Sequence, residues 1–181
     1  MDYDFEDFQI EVEPKKKKKV NSSRKGKAAE RSLCKILTTR FDDKPFIRTL
    51  GSGNRWAQVK SMPQHAKDTF TADIVCPEGF NFCIESKEGY EDIIKLDNVF
   101  EQDYAQLEEW FRDAIRDATA CDKKPLICWK RCRKPYVAFL LSKDLKKASL
   151  FDKRLIINKW VCVSLNKLLE FPDDFFFESI T

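Results

Sequence analysis

The sequence predicts a mixed α/β domain in which one central β-sheet is flanked by helices. Three observations carry this. Two short apolar runs, Ala72–Cys76 and Phe82–Ile84, bracket the turn residues Pro77, Glu78, Gly79 and Asn81, the pattern of a β-hairpin. Apolar residues recur at helical spacing in two longer stretches, 22–41 and 98–120. Further apolar runs at Phe46–Leu50, Leu126–Trp129, Tyr136–Leu141 and Trp160–Val163 read as strands.

The totals set bounds. A chain of 181 residues is long enough for one domain with a proper core. Its 43% hydrophobic and 35% charged residues are a soluble globular balance. A net charge of +3 means that any affinity for nucleic acid must come from local patches. No apolar run approaches the length of a membrane span, and the N-terminus is acidic rather than signal-like. The seven cysteines are odd in number and irregularly spaced, and His65 is the single histidine. That pattern speaks against structural zinc and for a reduced, intracellular and cytoplasmic setting.

Taken in order, residues 1–20 form a two-block tail, first acidic (Asp2, Asp4, Glu6, Asp7, Glu11, Glu13) and then basic (Lys15–Lys19). Charge blocks of this kind are usually disordered. The lysine run suits a flexible arm for DNA phosphates or a solubilising tail, and a nuclear location follows only if it acts as an import signal. Ser22 or Ser23 can cap a helix to about Phe41, with Ala29, Leu33, Ile36 and Leu37 as its buried stripe. Arg24, Lys25 and Lys27 crowd its first turn, where the helix dipole disfavours cations, a mismatch that a bound phosphate would resolve. Gly26 among them permits a close backbone approach.

After the strand at Phe46–Leu50 comes a Gly51-Ser52-Gly53 turn. Residues 54–70 show no period and carry Arg55, Trp56, Lys60, His65 and Lys67. Basic residues beside an aromatic suit a nucleic-acid strand, and a surface insertion with Trp56 tucked into the core is the plainer alternative. Beyond the hairpin, a helix over Asn98–Ala120 has a stripe of Tyr104, Leu107, Phe111, Ala114, Ile115 and Ala118, with Gln102 and Gln106 on another face. The turn Lys130-Arg131-Cys132-Arg133-Lys134-Pro135 either grips phosphate or guards a sheet edge. Residues 142–159 read as basic and weakly structured. Ser164 caps a short helix, Leu165–Glu170, and Phe175–Phe177 are expected to dock on the core or on a partner. The implied organisation is a tail (1–20), a main domain (21–170) and an acidic, aromatic C-terminal tail (171–181).

The chemistry lies in the hairpin. Residues two apart on a strand share a face, so Glu85 and Lys87 point the same way and Asp73 on the partner strand can join them. Adjacent carboxylates repel unless a cation sits between them, and hard oxygen ligands suit Mg²⁺ or Mn²⁺. Such a site acidifies a bound water and holds a phosphate oxygen, while Lys87 orients the water or stabilises developing charge. Glu30, beside its helix stripe, is a candidate third carboxylate. The plain alternative is a surface ion pair at a strand end.

The ordered set Arg24-Lys25-Gly26-Lys27-Ala28-Ala29-Glu30-Arg31, Arg48-Thr49-Leu50-Gly51-Ser52-Gly53, Asp73-Ile74-Val75, Ile84-Glu85-Ser86-Lys87 and Gln106-Leu107 resembles the PD-(D/E)xK nuclease superfamily. Within it, the likeness is to the archaeal-type and phage Holliday-junction resolvases, over about residues 24–140. Ala72 stands where that pattern usually has proline. The resemblance implies a restriction-endonuclease-like fold and a homodimer that nicks four-way DNA junctions symmetrically with Mg²⁺, in DNA recombination and repair. By the same analogy Glu30, Asp73, Glu85 and Ser86 hold metal, Lys87 assists the attacking water, and Arg31 and Arg48 hold the scissile phosphate. The wider DNA-binding set is Arg24, Lys25, Lys27, Ser52, Arg55, Lys60, Gln106, Arg131 and Arg133. The rival expectations are a restriction-type or end-processing nuclease, and a non-catalytic DNA-binding or replisome adaptor that engages a protein partner through the terminal tails.

Overall fold

The computed structural model describes residues 22–42, 44–49, 63, 70–91, 94, 101, 104–145 and 154–178. The expected tail over 1–20, the Gly51-Ser52-Gly53 turn and nearly all of the 54–70 loop lie outside them. The described elements run α1 (Ser22–Arg40), β1 (Ile47–Arg48), β2 (Ile74–Val75), β3 (Phe82–Glu88), α2 (Ala105–Ala120), β4 (Lys124–Lys130) and β5 (Tyr136–Leu141). A 3₁₀ turn (Ser142–Asp144), β6 (Leu155–Ile157), β7 (Trp160–Ser164), α3 (Leu165–Leu168) and α4 (Asp173–Phe176) complete them.

All these strands join one mixed sheet in the order β1-β2-β3-β4-β5-β7-β6. Only the β3–β4 pair is parallel, which demands a crossover, and α2 supplies it. Strand alternation sorts the side chains onto two faces. Phe82, Ile84, Leu126, Cys128, Ala138 and Leu140 pack with Leu33 and Leu37 of α1. Ile127, Trp129, Phe139 and Trp160 pack with Leu107, Trp110, Phe111 and Ala114 of α2. The predicted α/β class, a central sheet between helices, is the fold observed. None of the seven cysteines is in a disulfide. Among the described residues no helix is long and apolar enough to cross a membrane.

Several boundaries differ from expectation. The β3 strand carries Glu85 and Lys87 as expected and runs one residue further, to Glu88, because the parallel ladder to β4 pairs every residue up to Glu88 with Lys130. The β2 strand is only Ile74–Val75, so Asp73 lies in a bend just before it. The second helix is Ala105–Ala120, with Glu101 in a turn before it; Asn98 and Gln102, expected within the helix, lie outside the described residues. In that helix Ile115 is 43% exposed, and Trp110 takes the buried place. Residues 155–157, expected to be weakly structured, form an edge strand through a tight turn at Asn158, whose φ is 52°. The Ser164 side chain makes no capping hydrogen bond, and the helix after it ends at Leu168.

The described part of the expected C-terminal tail, residues 171–178, packs on the core through Phe171, Phe175, Phe176 and Phe177. Phe176 is fully buried and lies against Phe41 (5.0 Å between centroids) and Phe80 (6.2 Å). The Asn81 N–H donates to the Phe176 carbonyl at 2.7 Å, and Arg40 bonds the Phe171 carbonyl at 2.7 Å and Asp173 at 3.0 Å. Of the two alternatives left open for the three phenylalanines, docking on the core is the one observed.

Candidate active site

The site forms where β1, β2 and β3 run side by side. Ile74 pairs with Ile84, and Arg48 with Ile74. Continuing that register by one step sets Asp73 across from Glu85 and Thr49 across from Asp73. The Thr49 N–H indeed donates to the Asp73 carbonyl at 2.8 Å. The ladder between β2 and β3 stops at Ile84, leaving the Ser86 N–H without a strand partner. The Asp73 carboxylate takes that place, with Oδ2 accepting from Ser86 N at 2.9 Å. A side chain thus substitutes for a missing rung, and this pins Asp73 against β3.

Glu85 and Lys87 share the α2 face of β3, as strand alternation requires, and pair at 2.7 Å. Lys87 Nζ also lies 5.9 Å from the centroid of the Trp110 ring. Glu30 reaches in from α1, 9% exposed, and ion-pairs with the Arg48 guanidinium on β1. The helix is held at this point by the Tyr136 hydroxyl, which donates to the Ala29 carbonyl at 2.9 Å. Two consecutive elements, α1 and β1, therefore bring a carboxylate and a guanidinium to the edge of the hairpin.

The electrostatics link the four charged groups. Burial, then the Glu85 charge, and further the Glu30 charge, push the Asp73 carboxyl well above the usual aspartate range, while the Ser86 N–H and Lys87 pull the other way. For Lys87, burial favours the neutral form, yet the contact with Glu85 and the charges of Asp73 and Tyr90 outweigh it and raise its pKa. Lys87 is thus an ammonium that donates hydrogen bonds. It is unsuited to accept a proton.

Among the described residues, no three His, Cys, Asp or Glu side chains converge closely enough to hold a metal ion as they stand. Glu30 is turned to Arg48 and Glu85 to Lys87. The donor set nonetheless fits a hard cation. Asp73 feels two further carboxylates, and the nearby Thr49 hydroxyl is buried with no hydrogen-bond partner among the described residues.

Of the expected DNA contacts, Ser52, Arg55 and Lys60 lie outside the described residues. Arg24, Lys27 and Arg31 are exposed along α1, spaced to share a face. Gly26 faces open space, so an added side chain would meet nothing there. Lys25 lies in the field of Glu88 and Glu91, and the Cys132 N–H of the basic turn donates to Glu91. The start of α1 and the β4–β5 turn are therefore brought together beyond the end of β3. In that turn Arg131 sits 5.2 Å from the centroid of the Trp129 ring, and Arg133 is exposed with a φ of 56°. Gln106 on α2 donates to Glu109 at 3.0 Å, away from Glu30, Asp73 and Glu85 in its hydrogen bonding among the described residues.

Sequence reasoning assigned no site role to three groups beside the site. Thr49 and Trp110 are two of them. The third, Asp117 on α2, is 8% exposed and bonded to Arg116 Nε at 2.8 Å; burial raises its pKa against the pull of Arg116, and the Glu85 charge adds to the rise. A signal existed for the last two, since both fall within the apolar stripe of α2 by spacing.

No curated protein matches the chain. Among solved structures it is similar to the Archaeoglobus fulgidus Hjc, a Holliday junction resolvase from an archaeal hyperthermophile. The two share 18% identity over 78% of this chain and 89% of that one, with a TM-score of 0.37. The profile of the family described as "Phage putative PDDEXK endonuclease" matches residues 21–171, well over half of the chain. The chain belongs to this phage PDDEXK endonuclease family, and so to the PD-(D/E)xK nuclease superfamily.

Proposed function

We propose that the chain is a divalent-metal-dependent endonuclease that resolves four-way (Holliday) DNA junctions by symmetric phosphodiester hydrolysis, as a homodimer. The observation that carries the cleavage chemistry is the Asp73 carboxylate. It is held by the Ser86 N–H at 2.9 Å, its pKa is raised by burial and by Glu85 and Glu30, and Glu85 is paired to Lys87. The choice of junctions over other DNA, and the dimer, rest on the motif order that resembles the resolvases.

Glu30, Asp73 and Glu85, with Ser86, would hold Mg²⁺ or Mn²⁺. When bound, such an ion would supply positive charge between the carboxylates and a more acidic water. The protein's own part is positioning and electrostatics. The Ser86 N–H keeps Asp73 aimed along β3, and the protonated Lys87 donates to the water or to the charge that develops on phosphorus-bound oxygen. When Glu30 turns from Arg48, the guanidinium is released for the scissile phosphate, with Arg31 from α1 beside it. Arg24, Lys25, Lys27, Arg131 and Arg133 track the backbone beyond the end of β3, and Ser52, Arg55, Lys60 and Gln106 complete the surface.

The test is cleavage of a synthetic four-way junction and of matched linear duplex, with Mg²⁺ and with chelator. Paired symmetric nicks on the junction alone, and only with metal, are expected. Equal cutting of duplex would refute junction selectivity, and undiminished cutting in chelator would refute the metal assignment.

A further inference from the structure

We infer that Tyr90 is a base-stacking residue of the substrate site, its ring taking a nucleobase that has left the duplex beside the phosphate attacked at Asp73, Glu85 and Lys87. This rests on the reading of those three residues as the cleavage site. Tyr90 stands just past the end of β3 and is 38% exposed. Its ring is nearly perpendicular to that of Trp110, at 84° and 4.9 Å between centroids. Lys87 Nζ lies 5.9 Å from the centroid of the same indole ring. One tryptophan therefore carries both the exposed aromatic and the ammonium of the site.

The backbone places this ring at a cost. Tyr90 has a φ of 65°, directly after Gly89 at 88°. A bulky aromatic in the left-handed region is a genuine outlier, and such residues persist where the surroundings over-determine them, often at ligand sites. Here the surroundings do so. The Gly89 N–H donates to the Lys130 carbonyl at 3.0 Å, and Trp129 Nε1 donates to the Gly89 carbonyl at 2.7 Å. The Ile94 N–H donates to the Tyr90 carbonyl at 2.8 Å, and the Cys132 N–H donates to the Glu91 carboxylate. Sequence would favour glycine or asparagine at this φ, yet a ring is presented there. Lys87 acts on Tyr90 itself, and Lys25 and Arg131 on the neighbouring Glu91, so the ring stands among three cations and one carboxylate. An exposed ring among cations is the chemistry that holds an unpaired nucleotide, because every base offers a π-face to stack and every nucleotide a phosphate to pair. Stacked duplex offers no such face. The ligand is therefore DNA with a base already displaced, as at a branch point.

The test places a fluorescent adenine analogue at the branch nucleotides of a four-way junction and follows binding in chelator, so that no cutting is needed. Tyr90→Asn and Tyr90→Gly both accept the left-handed backbone while removing the ring. Tyr90→Phe keeps it. The wild type and Tyr90→Phe are expected to change the probe's fluorescence. The Asn and Gly variants are expected to leave it unchanged and to bind the junction roughly tenfold more weakly, with duplex binding kept. Wild-type fluorescence and affinity in both ring-less variants would overturn the inference. Equal weakening on junction and duplex would also overturn it, since Tyr90 would then merely cover Trp110. Failure of the cleavage-site reading shows separately, as undiminished cutting by Asp73→Asn.

Discussion

Arg48→Met probes how the site is held together before any ligand arrives. The Arg48 and Glu30 side chains are 17% and 12% exposed and form one ion pair. Methionine keeps most of the aliphatic stem and removes the charge. Glu30 is then left buried and unpaired, near an Asp73 carboxyl that it already disfavours as an anion. Removing one member of a buried pair costs about 3–5 kcal/mol, because the remaining charge has lost its compensation. In a protein of this size each kcal/mol moves Tm by about 2–4 °C, so a fall of about 6–20 °C is expected. Adding Glu30→Gln removes the stranded charge, and the double variant should be about 2 kcal/mol more stable than the sum of the single effects. The assay is thermal or urea unfolding of the four proteins in chelator. An Arg48→Met variant within about 1 kcal/mol of wild type, or strictly additive effects, would show that solvent screens the pair and would refute the reasoning.

Asp73→Asn should abolish cleavage while keeping or tightening DNA binding, as it removes a ligand and a negative charge; full activity in this variant would sink the metal assignment. The same change should stabilise the metal-free fold at neutral pH. The Asp73 pKa is raised on folding, so stability is complete below its ordinary value of 3.8 and is lost as pH rises through the folded pKa. The gain, read from unfolding curves in chelator, must therefore shrink as pH falls towards 3.8. Lys87→Met should lower the cleavage rate about 10²–10³-fold, the range for a lost oxyanion donor, with junction binding retained; a tenfold loss or less would remove Lys87 from that role. Phe176→Ala, in the C-terminal helix, should cost about 3–5 kcal/mol in urea unfolding, and a cost under 1 kcal/mol would deny the segment its place in the core. Deleting residues 1–20 should flatten the salt dependence of DNA binding if Lys15–Lys19 touch phosphate, and an unchanged slope would refute that contact.

What the sequence by itself determined was local. Alternation along a strand is a consequence of covalent geometry, so Glu85 and Lys87 had to share a face once residues 82–88 were extended. The apolar spacing of α1 and α2 had to bury Leu33 and Leu37 on one side and Leu107 and Phe111 on the other. The ordered motifs carried the superfamily as well, because they record which residue types one chemistry needs. Strand ends were less readable, since a ladder partner and not propensity decided that β3 runs on to Glu88.

Tertiary structure decided everything that depends on chain segments meeting across long separations. Register, invisible in either strand alone, set Asp73 opposite Glu85 and gave it the Ser86 N–H. Packing of α1 under the Tyr136 hydroxyl brought Glu30 to Arg48, 18 residues away in sequence. Contacts 40 residues apart hold Gly89 and with it the Tyr90 ring. The C-terminal phenylalanines entered the core because Phe41, Phe46 and Phe80 leave an aromatic surface that Phe176 and Phe177 cover. In each case the free energy comes from burial and pairing between distant residues, which no window of sequence contains.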